Sequence, residues 1–218
     1  MSRQRAFNRD VVLEIALREF WRHGYEATSV ASLTAAMGIR PPSLYAAFGD
    51  KRRLFEEVVE RYQRSHGAFS AVAMTEEPTA REAIARLLRE AAAEYTDPGH
   101  PPGCLVISAA VNCGPESADV QEAMRELREA GKAGIAARIA ADAVAGLLPE
   151  DTDAGALATF YAATVQGMST QARDGATRRD LERIAEFAML AWPGERAGAL
   201  EGMPENLEGT RAGRPAVR

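Results

Sequence analysis

Apolar side chains recur every three or four residues along most of the chain, and glycine, proline and small polar residues interrupt them at intervals that mark helix ends. After Asn8, the positions Val12, Ile15, Ala16 and Phe20 predict one helical face as far as His23, with Gly24 as the stop. Thr28 and Ser29 predict the start of a short helix whose apolar face is Val30, Leu33 and Met37 and whose end is Gly38. A second short helix is predicted over 41–48, and Asp50 caps a fourth that continues past Tyr62. Farther on, Thr79 and Glu82 have capping-box spacing for a helix to about Thr96. An apolar helix is expected over 103–113 and a long amphipathic one over 116–148. A mostly apolar helix over 153–174 and a last one from Thr177 to Trp192 complete the pattern. No run alternates with the period of a strand, so the fold class is all-α, with about nine helices.

The 46% hydrophobic and 26% charged residues are those of an ordinary soluble globular chain, and the longest apolar run, 104–111, is too short to span a bilayer. No secretory signal is visible, so a cytoplasmic location is expected. On the helix expected over 103–113, Cys104 and Cys113 fall on opposite faces and cannot bridge, which fits a reducing compartment. The net charge of −5 is unevenly spread. Residues 1–65 carry 11 Lys and Arg against 8 Asp and Glu, whereas the remainder carries 15 against 23. A basic front on an acidic body points to a polyanion contact confined to the N-terminal part.

The two short helices joined through Met37-Gly38-Ile39-Arg40 form a helix-turn-helix over about 30–49, and the helix over 8–23 supplies the support that such a pair needs to bury its core. Pro41 and Pro42 fall in the first turn of the second helix, where backbone N–H groups have no partner to lose. Arg40, preceding a proline, is driven towards the extended conformation of an N-cap. The tip is therefore apolar and poor in donors, suited to thymine methyls and sugars, with base-edge hydrogen bonding left chiefly to Arg40 and Ser43. Lys51, Arg52 and Arg53 stand at the wrong end of the next helix for its dipole, at a cost of about 0.3–1 kcal/mol each when exposed. A nearby phosphate backbone offsets that cost, and Tyr45 offers it a hydroxyl.

The stretch FWRHGYEATSVASLTAAMGIRPPSLYAAFGDKRRLFEEVVERY, within residues 8–62, resembles the TetR family of one-component bacterial transcriptional regulators. The resemblance lies in the Gly-Tyr after the first helix, the Thr-Ser start, the glycine turn, Ser-Leu-Tyr-x-x-Phe, and Lys before Leu-Phe. It implies an N-terminal three-helix DNA-binding domain (1–67) and a C-terminal helical bundle (68–194) that binds a ligand and dimerises through its last two helices. It implies further that Thr28 and Ser29 contact phosphates, that Arg40, Pro41, Pro42 and Ser43 face bases, and that Tyr45 and Lys51 clamp the backbone. The chain departs from the family pattern at Thr34, Met37, Arg40 and Ala47; many members have a phosphate-holding His at the last. The expected function is a ligand-responsive regulator, by family default a repressor, on a palindromic double-stranded operator.

In the second half, Leu157, Phe160, Tyr161, Val165 and Met168, then Leu181, Ile184, Phe187, Ala188 and Trp192, give more apolar surface than one small bundle needs, consistent with a homodimer. Tyr95, Cys104, Asn112, Met124, Phe160, Gln166 and Met168 are candidate ligand contacts, Asn112 and Gln166 because polar groups on apolar helices need partners. With no carboxylate or Lys within 103–113, a neutral or apolar inducer is expected. The rival reading is a helical enzyme, or a ligand-binding bundle whose helix-turn-helix does not regulate. No phosphate loop, nucleophile elbow or carboxylate pair supports an enzyme, and His23, His66 and His100 have no metal-ligand spacing. No cofactor and no membrane partner are expected. Residues 195–218, rich in Gly, Pro, Glu and Arg, are expected to form a disordered tail.

Overall fold

The computed structural model describes residues 8–193, so the expectation of a disordered tail over 195–218 lies outside the described residues. Among the described residues there are ten α-helices and no strand, one helix more than the sequence pattern predicts. None of these helices is long and apolar enough to cross a membrane.

The front of the chain folds as its caps dictate. In α1 (Arg9–His23), the Asn8 side chain accepts from the N–H groups of Asp10 and Val11, and Val12, Leu13, Ala16, Leu17, Phe20 and Trp21 turn inward. α2 (Val30–Met37) and α4 (Lys51–Arg64) pack on it, and α3 (Pro41–Phe48) packs on α2 and α4. α1 and α4 are locked by aromatic contacts: Phe20 meets Phe55 at 5.0 Å and Trp21 meets Tyr62 at 4.9 Å, both edge to face. Each large apolar side chain buried here contributes about 1.5–3 kcal/mol.

The bundle behind consists of α5 (Ala68–Glu76), α6 (Ala80–Glu94), α7 (Leu105–Ser108), α8 (Ala118–Val144), α9 (Ala154–Arg173) and α10 (Arg178–Met189). α5 is the helix absent from the sequence pattern. It starts at Gly67 without a side-chain cap, and Ala73 is its one fully buried residue, so it carries neither of the usual signals. The helix expected over 103–113 shrinks to the single turn of α7. Cys104, in extended conformation, caps it, and beyond Ser108 the Ala109 carbonyl is taken by the N–H of Tyr25 at 2.6 Å instead of continuing a helical ladder. Cys104 and Cys113 therefore do not share a helix; both are free thiols. The long helix also starts later than expected, at Ala118, after a 3-10 turn over Pro115–Ser117, and stops at Val144.

Two buried polar side chains hold this part together. Asp142 on α8 accepts from the Ala80 N–H at 2.6 Å, capping α6 from a distance, and Ser169 on α9 accepts from the Cys104 N–H at 2.8 Å. Thr177 and Asp180 make a full capping box at the start of α10.

Candidate nucleic-acid interface and ligand cavity

The helix-turn-helix is set by three local features. Ser29 and Ser32 cap α2 reciprocally, each hydroxyl accepting from the other's N–H at 3.0 Å. Gly38, with φ 65° and ψ 28°, occupies the left-handed region that ends α2 and turns the chain into α3. Arg40 is the extended N-cap of α3, with no side-chain cap bond and with Pro41 and Pro42 in the first turn. Leu44 and Phe48 face the core, so Pro41, Pro42, Tyr45 and Ala46 face solvent together with Arg40. Ser43 is half-buried between the two faces. Thr34, where family members commonly have Ala, is buried and donates back to the carbonyls of Val30 and Ala31, while Met37 fills the space beneath.

α2 and α4 are the helices packed against α3. Ser29 is exposed, whereas Thr28 is only 2% exposed and its hydroxyl donates to the Gly24 carbonyl at 2.6 Å. The expected phosphate contact from the Thr28 side chain is thus corrected: its hydroxyl ties the α1–α2 turn. The cation run Lys51-Arg52-Arg53 is also divided. Lys51 Nζ lies 4.1 Å over the Tyr25 ring, and the partial burial lowers its pKa from the ordinary lysine value against the opposing pull of Glu26. Arg52 pairs with Glu56 at 3.2 Å and with Asp119 at the start of α8. Arg53 extends beside Gly49 and makes no ion pair among the described residues.

In the bundle, a cavity of about 460 Å³ opens between α5, α6, α7, α8 and α9. Its wall is mainly apolar, with Phe69, Met74, Leu127, Ile135 and Val165 prominent. Of the seven candidate ligand contacts, the structure brings Tyr95, Cys104 and Gln166 to this wall. Met124 and Met168 are buried outside its lining, Asn112 is exposed because α7 ends before it, and Phe160 stands 42% exposed on the outer side of α9. The polar groups lining the cavity include the Tyr62 and Tyr95 hydroxyls, which converge on the Cys104 thiol. The Tyr62 hydroxyl is buried without an aligned hydrogen-bond partner. Burial raises the pKa of Cys104, and of both tyrosines well above the ordinary value, so all three are neutral at neutral pH. Arg128 also lines the cavity, its guanidinium donating to the Val106 carbonyl at 2.9 Å.

The same segment that lines the cavity touches the helix-turn-helix unit. Cys104, Val106 and Ile107 face the cavity, while Ala109 receives the Tyr25 N–H. Arg173 on α9 reaches the carbonyls of Trp21 and Arg22 at the end of α1, at 3.1 and 3.4 Å. Sequence reasoning missed Arg128 and the apolar lining from α5, because the cavity is assembled from helices far apart in the chain.

Comparison with known proteins agrees with this architecture at both ends. Residues 12–58 match the family described as bacterial regulatory proteins, tetR family, and residues 78–188 match the tetracyclin repressor-like C-terminal domain. The chain therefore belongs to the TetR family. It is 33% identical over 193 residues to the HTH-type transcriptional repressor ComR of Escherichia coli, covering 88% of this chain and 92% of that one. It is 29% identical over 190 residues to the repressor BdcR of the same organism, covering 87% and 90%. Among solved structures, a cysteine mutant of the TetR family regulator CifR, complexed with 26bp double-strand operator DNA, is 44% identical over 88% of this chain and all of that chain, with a TM-score of 0.83.

Proposed function

We propose that this protein is a ligand-responsive DNA-binding repressor that acts as a homodimer and releases its operator when a small molecule fills the cavity between α5 and α9. The observation that carries the reading is the outward face of α3, where Pro41, Pro42 and Tyr45 are exposed over buried Leu44 and Phe48 in a helix of major-groove geometry. Residues 1–67 form the reading head and 68–194 the ligand and dimer unit. Arg40 and Ser43 address base edges, the prolines contact methyls and sugars, and Ser29, Tyr45 and Lys51 hold phosphates. Relatives that are repressors, and the operator-bound state of CifR, support DNA as the partner and regulation rather than turnover as the task.

Dimerisation is supported by exposed apolar side chains on the last two helices: Phe160 on α9, with Phe187 at 72% and Leu190 at 61% exposed on and after α10. Tyr161, Met168, Leu181 and Trp192 from the expected apolar set are buried within the chain, so the interface rests on the first three. The cavity suits an inducer with a largely apolar body and one hydrogen-bond acceptor, the latter meeting the Tyr62 hydroxyl, which has no aligned partner beyond its approach to the Cys104 thiol. Tyr95, Cys104 and Gln166 are the contacts retained. Filling the cavity displaces the segment 104–109 against Tyr25 and shifts the population of head orientations.

The test has two parts. Genomic fragments retained by the purified protein should yield a palindromic site, bound in footprinting by one dimer. Small molecules that stabilise the protein thermally should then weaken binding to that site. If no fragment is enriched over bulk DNA the regulator reading fails; if stabilising ligands leave operator affinity unchanged, the release mechanism fails.

A further inference from the structure

The three histidines look scattered in sequence, but the fold brings two of them together with a carboxylate. His66 lies in the turn that follows α4, Glu94 is the last residue of α6, and His100 lies in the loop leading to α7. His66 Nδ1 is 2.8 Å and His100 Nε2 is 3.0 Å from the same oxygen, Glu94 Oε1. Their ligand-capable atoms all lie within 4.8 Å of one another. Trp21 forms the floor: the His100 ring stacks on it at 4.5 Å, and the His66 ring is tilted against it at 5.1 Å.

The hydrogen bonds around His100 say which atom is available. Its Nδ1 is 2.9 Å from the Pro101 carbonyl, which can only accept, so Nδ1 carries the proton and the neutral ring presents its lone pair at Nε2. That nitrogen is buried, in a side chain only 4% exposed, and has no hydrogen-bond partner, because Glu94 Oε1 is close but out of alignment. A lone pair beside a carboxylate oxygen is repulsive until a proton or a metal ion lies between them. An imidazole whose other nitrogen donates to a backbone carbonyl is held in the orientation and tautomer that metal binding needs.

We propose that His66 Nδ1, the Glu94 carboxylate and His100 Nε2 bind a divalent first-row metal ion of the zinc type. Two imidazoles and one carboxylate suit zinc, cobalt, nickel or copper, and not magnesium or calcium, which prefer all-oxygen shells. Bonds of about 2.0–2.1 Å in tetrahedral geometry place ligand atoms about 3.3 Å apart. Binding brings the present separations of 2.8 and 3.0 Å, and that of the two ring nitrogens within 4.8 Å of each other, to about that value. His66 binds through Nδ1 in the tautomer that carries its proton on Nε2. His66 and Glu94 each keep a quarter of their side-chain surface in contact with solvent, leaving the fourth position to water. The ion would tie the end of α4, in the reading head, to α6 and to the loop that leads into the cavity wall.

The full-length chain, stripped with a chelator and dialysed, is titrated with Co²⁺ and then Zn²⁺, following cobalt d–d absorption and tryptophan fluorescence. One ion per chain, a visible band of tetrahedral intensity and displacement of cobalt by zinc are expected, with Mg²⁺ inert. Glu94→Gln and His66→Ala, checked by circular dichroism, should each weaken binding by about tenfold or more. They are preferred to His100→Ala, whose ring is part of the packing on Trp21. No retained ion, or equal binding by wild type and both variants, overturns the site; so does binding lost only in Cys104→Ser or Cys113→Ser. No DNA is involved, so this result stands apart from the test of repression.

Discussion

Lys51→Met separates charge from packing at the proposed phosphate clamp. The unbranched methionine keeps an apolar stem over the Tyr25 ring and removes only the ammonium, which now sits 4.1 Å above that ring. Folding stability should change little. The lost cation–π attraction, about 0.5–1 kcal/mol, is offset by relief of the desolvation that lowers the Lys51 pKa. DNA binding should change a great deal. Each neutralised phosphate contributes about 0.9 to the slope of log K against log salt, and a dimer carries two copies of the lysine, so the slope should fall by about 1.8. Taking 1 M salt as the common reference, that is about 60-fold weaker binding at 0.1 M. The ammonium has already shed part of its water against Tyr25, which lowers the cost of pairing it with phosphate. Fluorescence anisotropy with labelled operator, from 50 to 400 mM salt, measures both numbers, and a thermal melt confirms the fold. An unchanged slope with an unchanged Kd would refute the placement of Lys51 at a phosphate. Equal loss at all salt concentrations would mean that the substitution moved the head instead.

Three further outcomes can be measured on the protein alone. Phe187→Glu puts a charge on the exposed apolar face of α10, and sedimentation should show a shift from dimer to monomer with little change in the far-ultraviolet dichroism of each chain. Gly103→Ala forces a side chain onto φ 79° and a Cβ to 2.7 Å from the Ser169 carbonyl, so chemical denaturation should show a loss of about 2–4 kcal/mol. Burial raises the folded-state pKa of Cys104, Tyr62 and Tyr95, so their contribution is complete below the unfolded values of 9.0 and 10.0 and is lost as pH rises through the raised folded values. The urea midpoint should therefore fall between pH 8 and pH 11, and fall less in Tyr62→Phe.

The reading head was legible in sequence because each of its devices is local. Asn8, Ser29, Gly38, the Pro41-Pro42 start and Asp50 act within a turn of where they stand, and all appear in the structure as caps or stops. What sequence could not show is where a polar side chain spends its hydrogen bonds: Thr28 turns in to Gly24, and Arg52 crosses to Asp119. The bundle was less legible for the same reason on a larger scale. α5 has no cap, and α7 is cut short because a carbonyl from Ala109 is claimed by Tyr25, far back in the chain. His66, Glu94 and His100 follow no motif spacing, because three separate elements deliver them to one point.

Beside the aromatic packing of Tyr62 and of Trp21 on His100, polar links join the bundle to the head, and their strength is suited to a switch. Tyr25 N–H to Ala109 and Arg173 to the end of α1 are hydrogen bonds of about 0.5–1.5 kcal/mol net each. Arg52–Asp119 is a half-exposed ion pair of about 1 kcal/mol or less. Together they amount to about 1–4 kcal/mol, the range in which coupling between a ligand site and a distant site usually falls. A ligand that presses on Cys104, Val106 and Ile107 acts on the turn that also carries Ala109, so it changes the first link directly. Truncating Arg173 to Ala removes one link without touching the cavity wall or α3. It should leave ligand affinity for the free protein nearly unchanged and reduce the ligand's effect on operator affinity by about three- to tenfold, read by anisotropy with and without ligand. A ligand effect of undiminished size in that variant would place the coupling elsewhere.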